Sequence, residues 1–405
     1  MNRIVIATCI WLCAVMASVA EDWRQFRGLD GRNAVSEGPV PIEWTADENT
    51  AWRVEIPGRG VNGVIVVDGR VIATSSSGIE QDRLHIWCID DATGRVLWKR
   101  NFQATGRTAT HPLSSIAAPT PASDGQFIYC LFASNDLICL DLDGNICWMR
   151  ALGLEYPSAF DDRGLASSPI VVEGTIVVQI ACQGDSIVLG IDAATGGDRW
   201  KHPLAQATAW TSPASLGLGG IEYVIVQSSD QLQIVEPVSG RIETSYRTAG
   251  SLIPSPCADG SRVLVPTAGQ LACLEFAPGG SQPTTVWQEQ RLGPSSGSPV
   301  VADGRVYVVR GSNVLNCGSA VDGSTLWQLR LKGSRMWATP LLVGHYLYLV
   351  SVEGLVQVVD VSGDKGALIA ENDLAEETLG SPAYANGSLY WRTVGAVVKV
   401  TVPPG

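Results

Sequence analysis

The sequence predicts an all-β fold, an eight-bladed β-propeller closed by pairing the N-terminal strand with the last blade. A strand–turn–strand signature that ends in a tryptophan recurs along the chain, most fully at residues 89–98 and 191–200. Prolines that start each copy recur every 41 to 48 residues, the length of a four-stranded blade. The copies alternate apolar and polar residues at period two, which excludes helical repeats. The starting prolines are Pro121, Pro169, Pro213, Pro256, Pro299, Pro340 and Pro382.

The residue types of the signature explain its turn. Asp192 and Thr195 can hydrogen-bond the turn backbone, and Gly196 supplies the positive φ that such a turn needs. Trp200, at a fixed distance after the turn, can bury a large apolar face against a neighbouring blade. We therefore assign a structural blade-docking role to six tryptophans: Trp52, Trp98, Trp148, Trp200, Trp287 and Trp327.

The last copy of the repeat is incomplete. A first copy without proline starts near Asn62, which brings the number of copies to eight. The eighth, starting at Pro382, lacks a tryptophan-bearing fourth strand, whereas the strand around Trp52 has that composition and no strands before it. Together the two fragments complete one blade, which closes the ring and removes open sheet edges.

The start of the chain predicts export. Residues 1–20 combine a positive start, a short apolar run and a small-residue cleavage site, as in a signal peptide. The run is too short for a transmembrane segment; the alternative is a lipoprotein anchored through Cys13. Residues 21–49 then form an irregular N-terminal segment, and residues 50–405 form the propeller. We expect a periplasmic or otherwise exported monomer.

Net charge and the placement of cysteine and histidine argue against nucleic-acid binding and against a metal site. The net charge is −12 without a basic cluster, so we expect no nucleic acid. Cys88, Cys139 and Cys273 share one place in different repeats, which predicts mostly free, buried thiols. The alternative is a cross-strand pair of Cys130 with Cys139. The chain has no CxxC and its four histidines are scattered, so no metal site is predicted.

These repeats resemble the β-propellers with pyrroloquinoline-quinone-like repeats. The resemblance is carried by residues 89–98 and 191–200 and by the Ser/Thr-Pro starts, and it covers residues 50–402. That family contains quinoprotein dehydrogenases. It also contains cofactor-free scaffolds, such as the propeller lipoprotein of the outer-membrane β-barrel assembly machinery. The resemblance therefore implies the fold more strongly than the activity.

The residues favour a scaffold over an enzyme. The dehydrogenases carry an adjacent cysteine pair over the cofactor, and no two cysteines are adjacent here. Their calcium ligands and catalytic aspartate have no matching motif either, so we assign no catalytic residue, no metal ligand and no cofactor. We predict a non-catalytic scaffold that binds a protein or a small ligand through one face. The alternative is an oxidoreductase dependent on pyrroloquinoline quinone (PQQ) with calcium; an enzyme acting on a polymer through rim carboxylates has less support.

The predicted binding face carries two long links between blades, residues 101–117 and 151–166. Trp210 and Trp337 each stand three residues before a starting proline, at the mouth of an inner strand. An aromatic, charged mouth can bind a ligand or a peptide; the alternative is that these rings plug the channel. The candidate binding residues are Arg107, His111, Asp161, Arg163, Trp210, Arg335 and Trp337.

Overall fold

The computed structural model describes residues 22–279 and 282–402, and this part of the chain is an all-β propeller. Strands hold 47% of the residues and helices 2%, which confirms the predicted fold class. Within the described residues, one α-helical turn, α1 (Leu152–Glu155), and one 3-10 turn (Gln290–Leu292) interrupt the strands. Among the described residues no helix has the length and apolar character needed to cross a membrane. The predicted signal peptide, residues 1–20, lies outside the described residues.

Within the described part of the chain, the strands form eight sheets, one for each predicted copy, and the four strands of each blade pair antiparallel. The first two strands are β1 (Ala34–Val35) and β2 (Thr50–Glu55). Blade 1 contains β3 (Ile65–Val67), β4 (Arg70–Ser77), β5 (Arg83–Asp90) and β6 (Val96–Gln103). Blade 2 contains β7 (Ala122–Ser123), β8 (Phe127–Leu131), β9 (Asp136–Asp141) and β10 (Ile146–Ala151). Blade 3 contains β11 (Ile170–Val172), β12 (Thr175–Ile180), β13 (Ile187–Asp192) and β14 (Asp198–Pro203).

The second half of the ring repeats this arrangement. Blade 4 contains β15 (Ala214–Leu218), β16 (Ile221–Gln227), β17 (Gln231–Val235) and β18 (Ile242–Arg247). Blade 5 contains β19 (Cys257–Asp259), β20 (Arg262–Thr267), β21 (Gln270–Glu275) and β22 (Thr284–Glu289). Blade 6 contains β23 (Val300–Ala302), β24 (Arg305–Arg310), β25 (Val314–Ser319) and β26 (Thr325–Arg330). Blade 7 contains β27 (Leu341–Val343), β28 (Tyr346–Val350), β29 (Leu355–Asp360) and β30 (Ala367–Asp373). Blade 8 contains β31 (Ala383–Ala385), β32 (Ser388–Arg392) and β33 (Ala396–Thr401), completed by β2.

Apolar side chains of the second and third strands form the core between blades. All six residues of β12 are buried, as are five of six in β13, whereas the fourth strand β14 has only one buried residue. Runs of Val, Ile and Leu on the middle strands therefore stack one sheet upon the next, and the outer strand faces solvent on its other side.

Each docking tryptophan connects its own blade to the next. Trp200 Nε1 donates a hydrogen bond to Pro237 O at 2.8 Å, in blade 4. Its ring also lies against Gly240 in that blade, where a Cβ would overlap the indole. The φ of +74° at Gly240 favours glycine as well, so the turn and the tryptophan contact select the same residue. The same indole-to-carbonyl bond is made by Trp52, Trp98, Trp148 and Trp287, and Trp327 lies against Gly366.

The ring closes at a seam between blades 8 and 1, as predicted. β2 pairs antiparallel with β33, and Trp52 stands opposite Lys399. Lys399 Nζ lies 2.6 Å from Asp91 Oδ1 in blade 1, and both side chains are buried. Tyr390 donates its hydroxyl proton to the same oxygen at 2.5 Å. Burial, and then the Asp91 carboxylate, raises the pKa of Tyr390.

The eight cysteines of the described chain are free, and seven of them are buried. Cys88, Cys139 and Cys273 each stand opposite a docking tryptophan, which explains their common place in the repeat. The alternative Cys130–Cys139 bridge is not formed, because Cys130 pairs with Ile138 and neighbouring residues of a strand point to opposite faces. Burial raises the pKa of Cys88 to about 12 and that of Cys273 to about 11, so these thiols are unreactive.

Candidate functional site: the central cavity

A belt of hydroxyl groups surrounds the channel where the inner strands begin. Each hydroxyl oxygen accepts a hydrogen bond from the backbone N–H of the equivalent residue one blade earlier, at 2.9 to 3.1 Å. Within the described residues, the structure gives none of the seven O–H groups an acceptor. We call these residues the hydroxyl belt: Thr120, Ser168, Ser212, Ser255, Ser298, Thr339 and Ser381.

The belt has one gap, at the seam. Blade 1 carries Gly63 at this position, and a Cβ there would lie 2.9 Å from Ser381 O. Gly63 N still donates to Thr120 Oγ1 at 3.0 Å, so the glycine continues the ring of N–H donors without contributing a hydroxyl.

A second ring lies two residues before each belt position, at the mouth of the channel. All its members are apolar or aromatic except Ser296. We call this ring the collar: Val61, Ala118, Ala166, Trp210, Ile253, Ser296, Trp337 and Leu379. Collar and belt together line one cavity of about 520 Å³.

The two long links meet at the mouth and brace one collar tryptophan. His111 N donates to Arg163 O at 2.9 Å, which joins the links to each other. Trp210 Nε1 donates to Gly164 O at 2.7 Å, which fixes the indole against the second link. The side chains of His111 and Arg163 are exposed and line the cavity. Arg163 carries the only fixed charge among the described residues that line it.

Four of the seven candidate binding residues reach the cavity: His111, Arg163, Trp210 and Trp337. The other three do not line it. The guanidinium of Arg107 lies 3.6 Å from the centre of the Phe160 ring, and Arg335 is exposed outside the lining. Asp161 is buried, where it accepts hydrogen bonds from Thr208 Oγ1 and from Arg163 N. Asp161 therefore shapes the second link rather than facing a ligand.

The hydroxyl belt was not among the predicted site residues, although its signal is present in the sequence. Every belt residue is the serine or threonine immediately before a starting proline. The Ser/Thr-Pro pairs mark strand starts, and only the closed ring shows that seven of them share one wall.

The N-terminal segment (residues 22–49) covers the other end of the channel, on the face of the first hairpin turns. Trp23 N donates to Val66 O in blade 1 at 2.8 Å, and Phe26 follows as part of the cavity lining. Its next contacts follow the order of the blades: Ser123 N to Arg24 O, Val171 N to Gln25 Oε1, Ser215 Oγ to Leu29 O, and Arg32 to Asp259. Phe26 is thus held in place as the floor of the cavity.

The segment then runs past the last blades. Leu342 N donates to Asn33 O at 3.0 Å, and β1 pairs in parallel with β27 as a fifth strand of blade 7. Tyr384, in blade 8, donates its hydroxyl proton to Pro39 O of the segment at 3.2 Å. Because the segment contacts the whole circle of inner strands, the cavity opens at the collar and ends at Phe26.

The residues around the cavity do not fit a calcium-bound quinone. Calcium takes six to eight oxygen ligands, several of them carboxylates. Among the described residues, no group of three or more His, Cys, Asp or Glu could hold a metal ion. The lining offers neutral hydroxyls and indoles, with Arg163 as its charged member.

The ring has eight sheets, and at most junctions a tryptophan of one blade packs against the repeat turn of the next. This arrangement is that of the β-propellers with PQQ-like repeats. The profile of the family described as outer membrane protein assembly factor BamB matches residues 26–242, 184–336 and 279–365. These matches cover most of the sequence, and the chain belongs to this family.

Individual relatives agree with this assignment. The outer membrane protein assembly factor BamB of Moranella endobia (strain PCIT) is 22% identical over 233 residues, 57% of this chain and 53% of the relative. The chain thus matches about half the length of that curated relative. Two solved structures share the fold. BamB from Moraxella catarrhalis has a TM-score of 0.66 at 17% identity, covering 88% of this chain and 98% of that one. Quinohemoprotein alcohol dehydrogenase from Comamonas testosteroni has 0.70 at 13%, covering 94% and 80%.

Proposed function

We propose that this chain is an exported, non-catalytic scaffold that binds a protein partner through the face carrying the long links. The observation that carries the proposal is the covered floor: with the N-terminal segment across the opposite end, the collar is the open entrance to the cavity. Concave sites lined by aromatic groups and a few polar ones are where ligands bind in most proteins.

The composition of this face suits a protein partner. Tryptophan and arginine are enriched among the residues that dominate binding energy at protein interfaces. Trp210, Trp337 and Arg163 lie around one mouth, with His111 beside them. The family name refers to the assembly of outer membrane proteins. We therefore propose that the partner is a protein of that assembly and that the chain acts in the periplasm as a single ring.

The test compares the two faces of the ring. A photoreactive residue in place of Leu113, at the mouth, is expected to cross-link the partner, whereas one in place of the exposed Leu29 on the opposite face is not. The single variants Trp210→Ala and Trp337→Ala should each abolish the adduct while the chain still melts cooperatively, although Trp210→Ala also loses the hydrogen bond to Gly164 O. If both variants bind normally, or if both unfold, the two rings are channel plugs and the site is wrong.

The oxidoreductase alternative has its own test. The purified chain is incubated with PQQ and calcium, and its absorption spectrum and dye reduction are measured. We expect no stoichiometric quinone binding, because the lining lacks the carboxylates that would hold calcium. If one quinone binds per chain and the dye is reduced, the scaffold proposal is wrong and the oxidoreductase alternative is correct.

A further inference from the structure

The hydroxyl belt presents hydrogen-bond donors to the cavity. A serine or threonine hydroxyl has one proton to donate and two lone pairs. In each belt residue a lone pair already accepts a backbone N–H from the previous blade. Because the structure shows no hydrogen bond donated by these hydroxyls to a described residue, their protons are available to a group in the cavity that accepts hydrogen bonds. An ionised carboxylate is such a group, with two oxygens and about four acceptor sites.

The charges around the cavity have the sign that a carboxylate requires. Arg163 lies at the mouth, and no carboxylate of a described residue lines the wall. Beneath the floor, Arg27 is wholly buried, and its guanidinium lies 5.2 Å from the centre of the Phe26 ring. Within the described residues its Nε and Nη1 have no hydrogen-bond partner. An anion in the cavity would therefore lie between two positive groups.

The shape of the cavity selects a chain end. Phe26 closes the floor, so an extended polypeptide that enters at the collar cannot pass through. The N-terminal end of a chain carries a positive ammonium group, which the positive charge of Arg163 at the mouth disfavours. The volume of about 520 Å³ falls within the roughly 300–1,000 Å³ of ligand pockets. The collar adds apolar contact through Trp210, Trp337, Ile253 and Leu379.

We propose that the cavity captures the C-terminal end of a partner polypeptide. The terminal carboxylate lies on the hydroxyl belt, and the apolar side chain of the last residue packs against the collar. This inference rests on the proposed scaffold function and specifies the chemistry of the partner that the same face takes.

The experiment compares two forms of one peptide. A fluorescein-labelled octapeptide with leucine as its last residue is titrated with the full chain, once with a free carboxyl and once as the C-terminal amide. Hydrogen bonds to a charged group contribute about 1.5–3 kcal/mol. Fluorescence anisotropy is therefore expected to show the free acid binding at least about tenfold more tightly than the amide. Equal binding of both forms, or binding of neither, overturns the inference.

Two pairs of variants locate the binding. Ala166→Trp fills the collar and should abolish peptide binding, whereas Leu154→Trp, on an exposed turn of the second link, should not. Ser255→Ala removes a belt hydroxyl and should reduce the preference for the free acid, while Ser255→Thr keeps both hydroxyl and preference. Thermal melting identifies any variant that fails to fold. Tight binding by folded Ala166→Trp contradicts the inference.

A competition experiment distinguishes a chain end from a small free acid as the ligand. N-acetyl-leucine presents the same carboxylate and side chain without a chain, and it should displace the peptide only at much higher concentration. Displacement at equal concentration would make the ligand a small acid instead of a chain end. If the partner still cross-links at position 113 while the peptide fails to bind, the scaffold function stands and the chain-end inference falls.

Discussion

The junction between blades 2 and 3 and the junction between blades 8 and 1 have the same tryptophan contacts. Trp148 Nε1 donates to Ala193 O at 3.1 Å, and Trp52 Nε1 donates to Asp91 O at 2.9 Å. Each indole lies over the turn glycine of the next blade, where a Cβ would approach the ring to 2.7 Å. The shared repeat therefore specifies how a blade docks, whether or not its strands are consecutive in the chain.

The two junctions differ in what stands around the tryptophan. Opposite Trp148 is the apolar thiol of Cys139, whereas opposite Trp52 is Lys399. The small Ala193 of blade 3 is replaced in blade 1 by Asp91, which binds that lysine. A buried ion pair is costly to desolvate and is weak as a source of stability, but an arrangement that separates the two partners leaves an uncompensated buried charge. We infer that the seam uses it to make the last blade select blade 1.

The largest expected effect comes from removing the strand that closes the seam. A chain lacking residues 22–57 loses β2, so the β33 edge is left unpaired. We expect aggregation and loss of a cooperative melting transition, since unpaired edges associate. Size-exclusion chromatography and thermal melting measure both. A chain lacking only residues 22–31 keeps β1 and β2 and should remain monomeric; a monomeric, normally melting 22–57 deletion would show that closure is dispensable.

Removing one docking indole should destabilise the fold by a similar amount at an ordinary junction and at the seam. Trp200→Ala and Trp52→Ala each leave a cavity beside a glycine that cannot fill it, so each should cost ~3–5 kcal/mol in the free energy of unfolding. Urea titration followed by circular dichroism measures the loss. A cost below about 1 kcal/mol for Trp200→Ala is incompatible with its place between blades.

The ion pair is the element that distinguishes the seam. Lys399→Met leaves the buried Asp91 carboxylate without its cation and should cost about 3 kcal/mol. The double change Lys399→Met and Asp91→Ala removes both charges and should recover part of that loss, since the buried Tyr390 hydroxyl then loses its acceptor. Urea titrations of the single and double variants complete the cycle. A double variant no more stable than Lys399→Met would mean that the pair does not act as a unit.

The smallest effect concerns the turn carboxylates shared by the repeats. Arg199 lowers the pKa of Asp192 to about 2, and hydrogen bonds from Thr93 lower the pKa of Asp90. A lowered pKa stabilises the fold above the unfolded value of about 4. That contribution is lost as the pH falls through the lowered pKa. Asp192→Asn should therefore cost less than about 1 kcal/mol at pH 7 and flatten the dependence of stability on pH between 4 and 2. Unfolding midpoints across that range are the measurement; an unchanged slope would contradict the assignment.

The sequence alone was sufficient for the ring and for its closure, because each blade carries its own copy of the turn and of the starting proline. It was not sufficient for the site. Thr120 and Ser168 are neighbours in the belt but lie far apart in the chain, and only closure brings the seven hydroxyls together. The positions of Arg107 and Asp161 depend on contacts within irregular links, such as His111 N to Arg163 O, which no periodicity encodes.

Because β2 pairs with β33, a strand made early in synthesis must wait for a partner made at the end. Trp52 and Lys399 are about 350 residues apart, so during synthesis at roughly 5–20 residues per second β2 precedes its partner β33 by about 20–70 s. Throughout that interval the partner strand of β2 has not yet been made. The outward residues of β2, Arg53 and Glu55, are charged, and charged side chains on an edge discourage pairing with foreign strands. The sequence of β2 thus suits a strand that is made early and paired last.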